Sequence, residues 1–111
     1  MILRVDGDIN KYYVQTLCMV FFPGATFGEN ELPGIGVPEV NVNVYKEEDG
    51  SDTAFVSMKL NDRVCEATET VSFDEDISVA EHSAIAVGRA VFAAGKDLQD
   101  GHRHLHYGFG Q

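Results

Sequence analysis

Three histidines, His102, His104 and His106, stand two residues apart near the end of the chain and form its one cluster of metal-ligand type. In an extended segment that spacing sets side chains on one face, and zinc accepts three imidazoles plus a water. Such a site also needs carboxylates behind the imidazoles and a rigid scaffold. Here the cluster follows Asp100-Gly101 close to the chain end, where segments are commonly mobile. The reading is therefore a polar tail or linker over residues 96–111 that holds no zinc or other metal. His82 falls in the first turn of a helix and is expected at the surface.

The other reactive residue types are no better placed. Glu47-Glu48-Asp49 and Asp74-Glu75-Asp76 are carboxylate runs in turns beside strands, where water keeps acids ionised. Cys18 and Cys65, the only two cysteines, form neither a CxxC pair nor a dense scaffold and read as reduced, buried thiols. Gly34-Ile35-Gly36 lacks the preceding strand, third glycine and lysine of a phosphate loop. No nucleophile elbow or metalloprotease motif is present. Tyr12, Tyr13, Phe21 and Phe22 read as core, and Tyr45 and Phe55 would form a stacking platform only if both lie on an exposed sheet face. No catalytic and no cofactor-binding residue follows from residue types.

Length and charge bound the rest. The chain has 111 residues, enough for one domain with one modest core. Its net charge is −10, and the acid is concentrated in the middle: residues 29–81 hold fourteen acids and three bases. Such a surface repels phosphate backbones, so nucleic acid is not expected as a partner. No apolar run is long enough to span a membrane, and Met1 is followed by a strand pattern rather than a signal peptide, so a cytoplasmic protein is expected.

The elements that must position these residues are legible. Met1–Asp6 reads as a first strand. Asp8 or Asn10 caps a helix from about Lys11 to Phe22, with Tyr13, Leu17, Val20 and Phe21 as its apolar stripe, and Pro23-Gly24 stops it. Residues 24–38 carry four glycines and two prolines and read as a mobile loop. Then come three strands. Glu39–Glu47 points Val40, Val42 and Val44 inward. Thr53–Leu60 does the same with Ala54, Val56, Met58 and Leu60, and Arg63–Phe73 with Cys65, Ala67, Val71 and Phe73. Ser78 and Glu81 form a capping box for a second helix, whose stripe is Ala84, Val87, Val91 and Ala94. Gly95 is placed to end that helix in a left-handed conformation. The expected fold is α+β in two layers: a four-stranded, mainly antiparallel sheet with both helices on one face, in the order β-α-β-β-β-α.

Four short stretches carry a family resemblance. Tyr13–Gly24, YVQTLCMVFFPG, resembles the first helix of the HemZ-type coproporphyrinogen dehydrogenases, the oxygen-independent oxidases of haem biosynthesis. Gly88–Phe92, GRAVF, and the Gly95-Lys96 pair resemble that family's later helix, and Tyr107-Gly108 its step into the catalytic barrel. The resemblance implies the N-terminal accessory domain of a radical-SAM oxidoreductase, inert by itself, whose partner is the barrel of the same polypeptide. The parent would use a [4Fe–4S] cluster and S-adenosylmethionine, the cluster being held by a CxxxCxxC motif in the barrel. That motif is absent here, so no cluster residue is carried over, and the chain would be a fragment or a relative without the barrel. The stretch GHRHLH departs from the shorter linker expected at the join. The other expectation is an independent, small acidic interaction module, dimeric through a sheet edge or the outer sheet face.

Overall fold

The computed structural model describes residues 1–28 and 31–109, the last eight of these as backbone alone. Six elements follow one another: β1 (Ile2–Asp6), α1 (Lys11–Phe21), β2 (Glu39–Lys46), β3 (Asp52–Leu60), β4 (Arg63–Val71) and α2 (Val79–Phe109). The fold is α+β with the expected element order. The sheet is mixed rather than mainly antiparallel in every pair. Its spatial order is β1-β2-β3-β4, with β1 parallel to β2 and the other two pairs antiparallel.

Register explains the core. Leu3, Val40, Met58 and Cys65 stand opposite one another across the four strands, as do Val5, Val42, Val56 and Ala67. Because side chains alternate between faces, these two rows make one apolar surface. Val40, Val42, Val56 and Met58 in them are fully buried. The next rows on the other face read Arg4, Asn41, Ser57, Glu66 and Asp6, Asn43, Phe55, Thr68. Tyr45 and Phe55 do lie on that outer face; Tyr45 is exposed and Phe55 half-buried.

α2 covers β3 and β4 with small residues. Ala86, Val87, Ala90, Val91 and Ala94 are all fully buried, and Leu98 extends the stripe. Three alanines in that stripe allow the helix axis close to the sheet. The helix opens as the capping box predicts, with the Glu81 N–H donating to Ser78 Oγ at 3.1 Å.

It does not end at Gly95. The helix runs on through Gly95 and Gly101 to Phe109, so residues 96–109 are not an extended tail. Gly95 serves packing instead: a Cβ there would lie 2.6 Å from the Phe21 ring. Its missing side chain, rather than freedom of φ, is what the fold uses.

α1 is also rotated from its expected setting. Asn10 caps it, accepting from the Tyr12 N–H at 2.8 Å, and the helix closes into Phe22-Pro23-Gly24 with Gly24 at φ +80°. Its buried residues are Val14 and Cys18, whereas Tyr12 and Val20 face solvent, and Tyr13 lies at the margin. Of the aromatics expected in the core, Phe22 is buried there and Phe21 packs against it, whereas Tyr12 and Tyr13 stay outside because α1 meets α2 beside the sheet. Tyr13 lies across the helix pair, its hydroxyl donating to the Ala84 carbonyl at 3.0 Å beside Gly88. Phe21 and Phe92 meet edge to face at 5.2 Å.

Residues 24–38 are tied at several points. The Met1 ammonium bonds to the Thr26 carbonyl at 2.6 Å and to the Glu31 carboxylate. The Gly36 N–H donates to Asn61 Oδ1 at 2.8 Å.

Candidate functional site

The topology gathers the buried polar side chains of the described residues at one end of the sheet. There β1, β2 and β4 end, β3 begins and α2 starts. Ser51, Asp52, Thr53, His82 and Ser83 are all buried there, and the two carboxylate runs lie in the adjoining turns.

The β2–β3 turn builds one side. Asp49 Oδ1 accepts from both the Ser51 N–H, at 2.9 Å, and the Ser51 hydroxyl, at 2.5 Å. These two hydrogen bonds favour the ionised form and hold the Asp49 carboxyl below the usual carboxylate range. The Thr53 hydroxyl donates to Glu47 Oε1 at 3.0 Å and stands 2.9 Å from the Thr70 hydroxyl. Gly50 takes φ +88°, and the bare Cα faces Phe73.

His82 builds the other side, and it is not at the surface: only 1% of it is exposed. Its Nε2 accepts from the Asp74 N–H at 2.8 Å, and Nδ1 lies 2.8 Å from the Ser78 carbonyl. A backbone N–H must donate and a carbonyl must accept, so these partners assign the neutral ring with its proton on Nδ1. The ring stacks parallel to Phe73, centroids 5.7 Å apart. Phe73 was expected inward as part of a strand; β4 ends at Val71, and Phe73 is 60% exposed, lying over the histidine instead. The helical register brings Nδ1 back to the carbonyl four residues earlier, which sequence spacing alone could have shown. The bond to Asp74 depends on how the 72–78 connection turns, and no sequence signal marks it.

This arrangement fastens a chain reversal. Both His82 nitrogens are occupied by backbone groups, so the ring has no lone pair for a substrate or a metal. The Ser51 hydroxyl is held by a carboxylate, with no imidazole behind it. Asp52 is the exception to full pairing. Its Oδ1 stands 3.5 Å from the Lys46 ammonium, while its buried Oδ2 has no hydrogen-bond partner. One cation across the strand pair compensates one carboxylate there, at the cost of an unmet acceptor.

The remaining candidates are dispersed. Cys18 lies fully buried on α1, and burial pushes its thiol up to about 11. Cys65 is half-buried on β4, and both thiols are free. Among the described residues no three His, Cys, Asp or Glu side chains are gathered to hold a metal ion. His102, His104 and His106 lie outside the residues whose side chains are described. Their backbone is helical, so the extended geometry that would set all three on one face is not formed. Glu31, which accepts from the Met1 ammonium, has its carboxyl held low by that bond. The grooves are shallow; the one beside the start of α1, about 390 Å³, is lined by Met1, Leu3, Lys11, Tyr12, Gln15 and Phe27 among others.

No helix among the described residues is long and apolar enough to cross a membrane. No family model and no curated protein matches the chain.

Proposed function

We propose that this chain is a non-catalytic accessory domain of the kind that precedes the barrel in HemZ-type coproporphyrinogen dehydrogenases, cytoplasmic radical-SAM oxidoreductases of haem biosynthesis. One observation carries the reading. Three of the stretches that bear the resemblance come together in space: Phe21, from the FFPG close of α1, meets Phe92 of GRAVF edge to face and covers Gly95 of the Gly-Lys pair. Residues far apart in the chain thus serve one helix–helix contact, which supports reading them as a single motif.

The cofactors of such an enzyme do not fit this chain. A [4Fe–4S] cluster held by protein takes three or four thiolates in close array. Here one thiol is sealed in the core of α1 and the other is on β4. The cluster and S-adenosylmethionine would belong to the barrel, and this domain's part is placement.

The natural reading frame tests this directly. Continuation past Gln111 into a barrel with a CxxxCxxC motif is the expected result. A frame that ends there, with the purified chain self-associating in light scattering, would replace the reading with an independent acidic interaction module.

A further inference from the structure

The sheet has two edges, and they are not equally protected. β1, at one, is 5 residues long, and a short strand blunts an edge. β4, at the other, runs 9 residues in unbroken register with β3, without proline, lysine or bulge. Among the described residues nothing pairs beyond it. The two-residue turn Asn61-Asp62, with Asn61 at φ +55°, closes the hairpin on a hydrogen-bonded Leu60–Arg63 pair. Alternation then turns the N–H and C=O of Val64, Glu66, Thr68 and Thr70 away from β3. β4 also carries charges that its own chain leaves unmatched. Arg63 runs along the covered face with a guanidinium nitrogen 3.7 Å from Cys65 Sγ, and its buried Nε has no hydrogen-bond partner. Glu69 lies half-buried on the same face. Among the described residues neither joins an ion pair.

We propose that β4 pairs with β4 of a second copy of this chain, antiparallel across a two-fold axis at Ala67. Covered-face residues must stand opposite covered-face residues, so such an axis passes through a residue pair. Axes at Glu66 or Glu69 set like carboxylates face to face, which is destabilising. The axis at Ala67 overlaps the whole of β4 and pairs every outward backbone group, Val64 with Thr70 and Glu66 with Thr68. It also sets Glu69 of each copy opposite Cys65 of the other, where the Arg63 guanidinium lies. That position is a non-hydrogen-bonded one, at which opposite side chains come closest. The charges on this edge thus select one register. The two Glu66 side chains become diagonal neighbours on the solvent face, where salt screens them. The helices leave room: α2 lies over β3 and β4, and α1 takes one flank of it, at Gly88 and Gly95. Across the axis two α2 helices run side by side about 10 Å apart, a normal packing distance. Beyond the first turn the exposed charges of α2 among the described side chains, Arg89, Lys96, Asp97 and Asp100, balance.

Sedimentation equilibrium of the purified 111-residue chain, from about 1 μM to about 1 mM, tests this. The expected result is a monomer–dimer equilibrium that stops at two, because each copy has one β4 edge. Glu69→Arg should weaken the dimer about tenfold or more, since it brings like charge to Arg63 of the other copy. Arg63→Glu added to that chain should restore it. Within one chain the two residues stand about 20 Å apart along an extended strand, so rescue can arise only between copies. Thr68→Pro removes an N–H that β3 does not use; it should abolish the dimer and leave circular dichroism unchanged. Should that variant fail to fold, the charge swap decides alone. A monomer at every concentration overturns the proposal, as does a dimer that tolerates Glu69→Arg or that the double variant does not recover. None of these outcomes touches the accessory-domain reading, which the reading frame decides.

Discussion

The two parts of α2 are held by opposite means. Near its start, Ser78, His82 and the Asp74 N–H make directional hydrogen bonds around a buried ring. Farther along, at Gly88 and Gly95, the contact is steric: bare Cα atoms receive Tyr13 and Phe21 from α1. The first part needs particular atoms in particular places. The second needs only that nothing be there. Substitution should therefore fail differently at the two: by loss of a partner at the start, and by gain of bulk in the middle.

Gly95→Val is the sharpest break at the steric contact. Its Cβ would sit 2.6 Å from the Phe21 ring in a buried position, so the ring or the helix must move. Overpacking of this kind costs about 1–3 kcal/mol, and β-branching in the helix adds to it. Urea unfolding should show the midpoint falling, and Phe21→Ala in the same chain should recover part of the loss. If the two substitutions simply add, the close approach is not what Gly95 serves.

His82→Leu tests the polar contact. It keeps bulk beneath Phe73 but takes the acceptor from the part-buried Asp74 N–H, at about 1 kcal/mol, the low end of the cost of an orphaned group because water can partly reach it. Amide exchange should quicken at Asp74 through Ser78 before it changes in β2 or β3. Uniform acceleration would mean that the histidine matters only as core volume.

The smallest effect concerns Cys18, which belongs to neither contact. Its thiol is pushed from 9.0 to about 11 in the folded chain by burial. A folded-state value above the unfolded one means stabilisation that is complete below pH 9 and is lost as pH rises toward 11, because the unfolded chain releases the proton first. Cys18→Ala should flatten that slope in unfolding measured across the interval. Iodoacetamide at pH 8 should spare Cys18 in the native chain and modify it in urea.

Periodicity alone determined much of this protein. Val40, Val42 and Val44 alternate, and they do line the covered face; Ser78 and Glu81 do open α2; Asn10 does cap α1. These are local facts, decided by strand alternation and by which side chain can reach a free N–H. The element order followed from the same signals. What the sequence left open was every choice that depends on a distant neighbour. Tyr12 and Val20 are apolar enough for a core, but α1 turns Val14 and Cys18 inward instead. Gly95 has the composition of a helix end, yet the helix continues, because packing against Phe21 rather than local φ decides that residue's role. His82 reads as a surface histidine until the 72–78 connection places the Asp74 N–H on Nε2 and Phe73 over the ring. A short segment encodes its own hydrogen-bonding and face preference. It does not encode which partner will cover that face, and that is settled only when the layers meet.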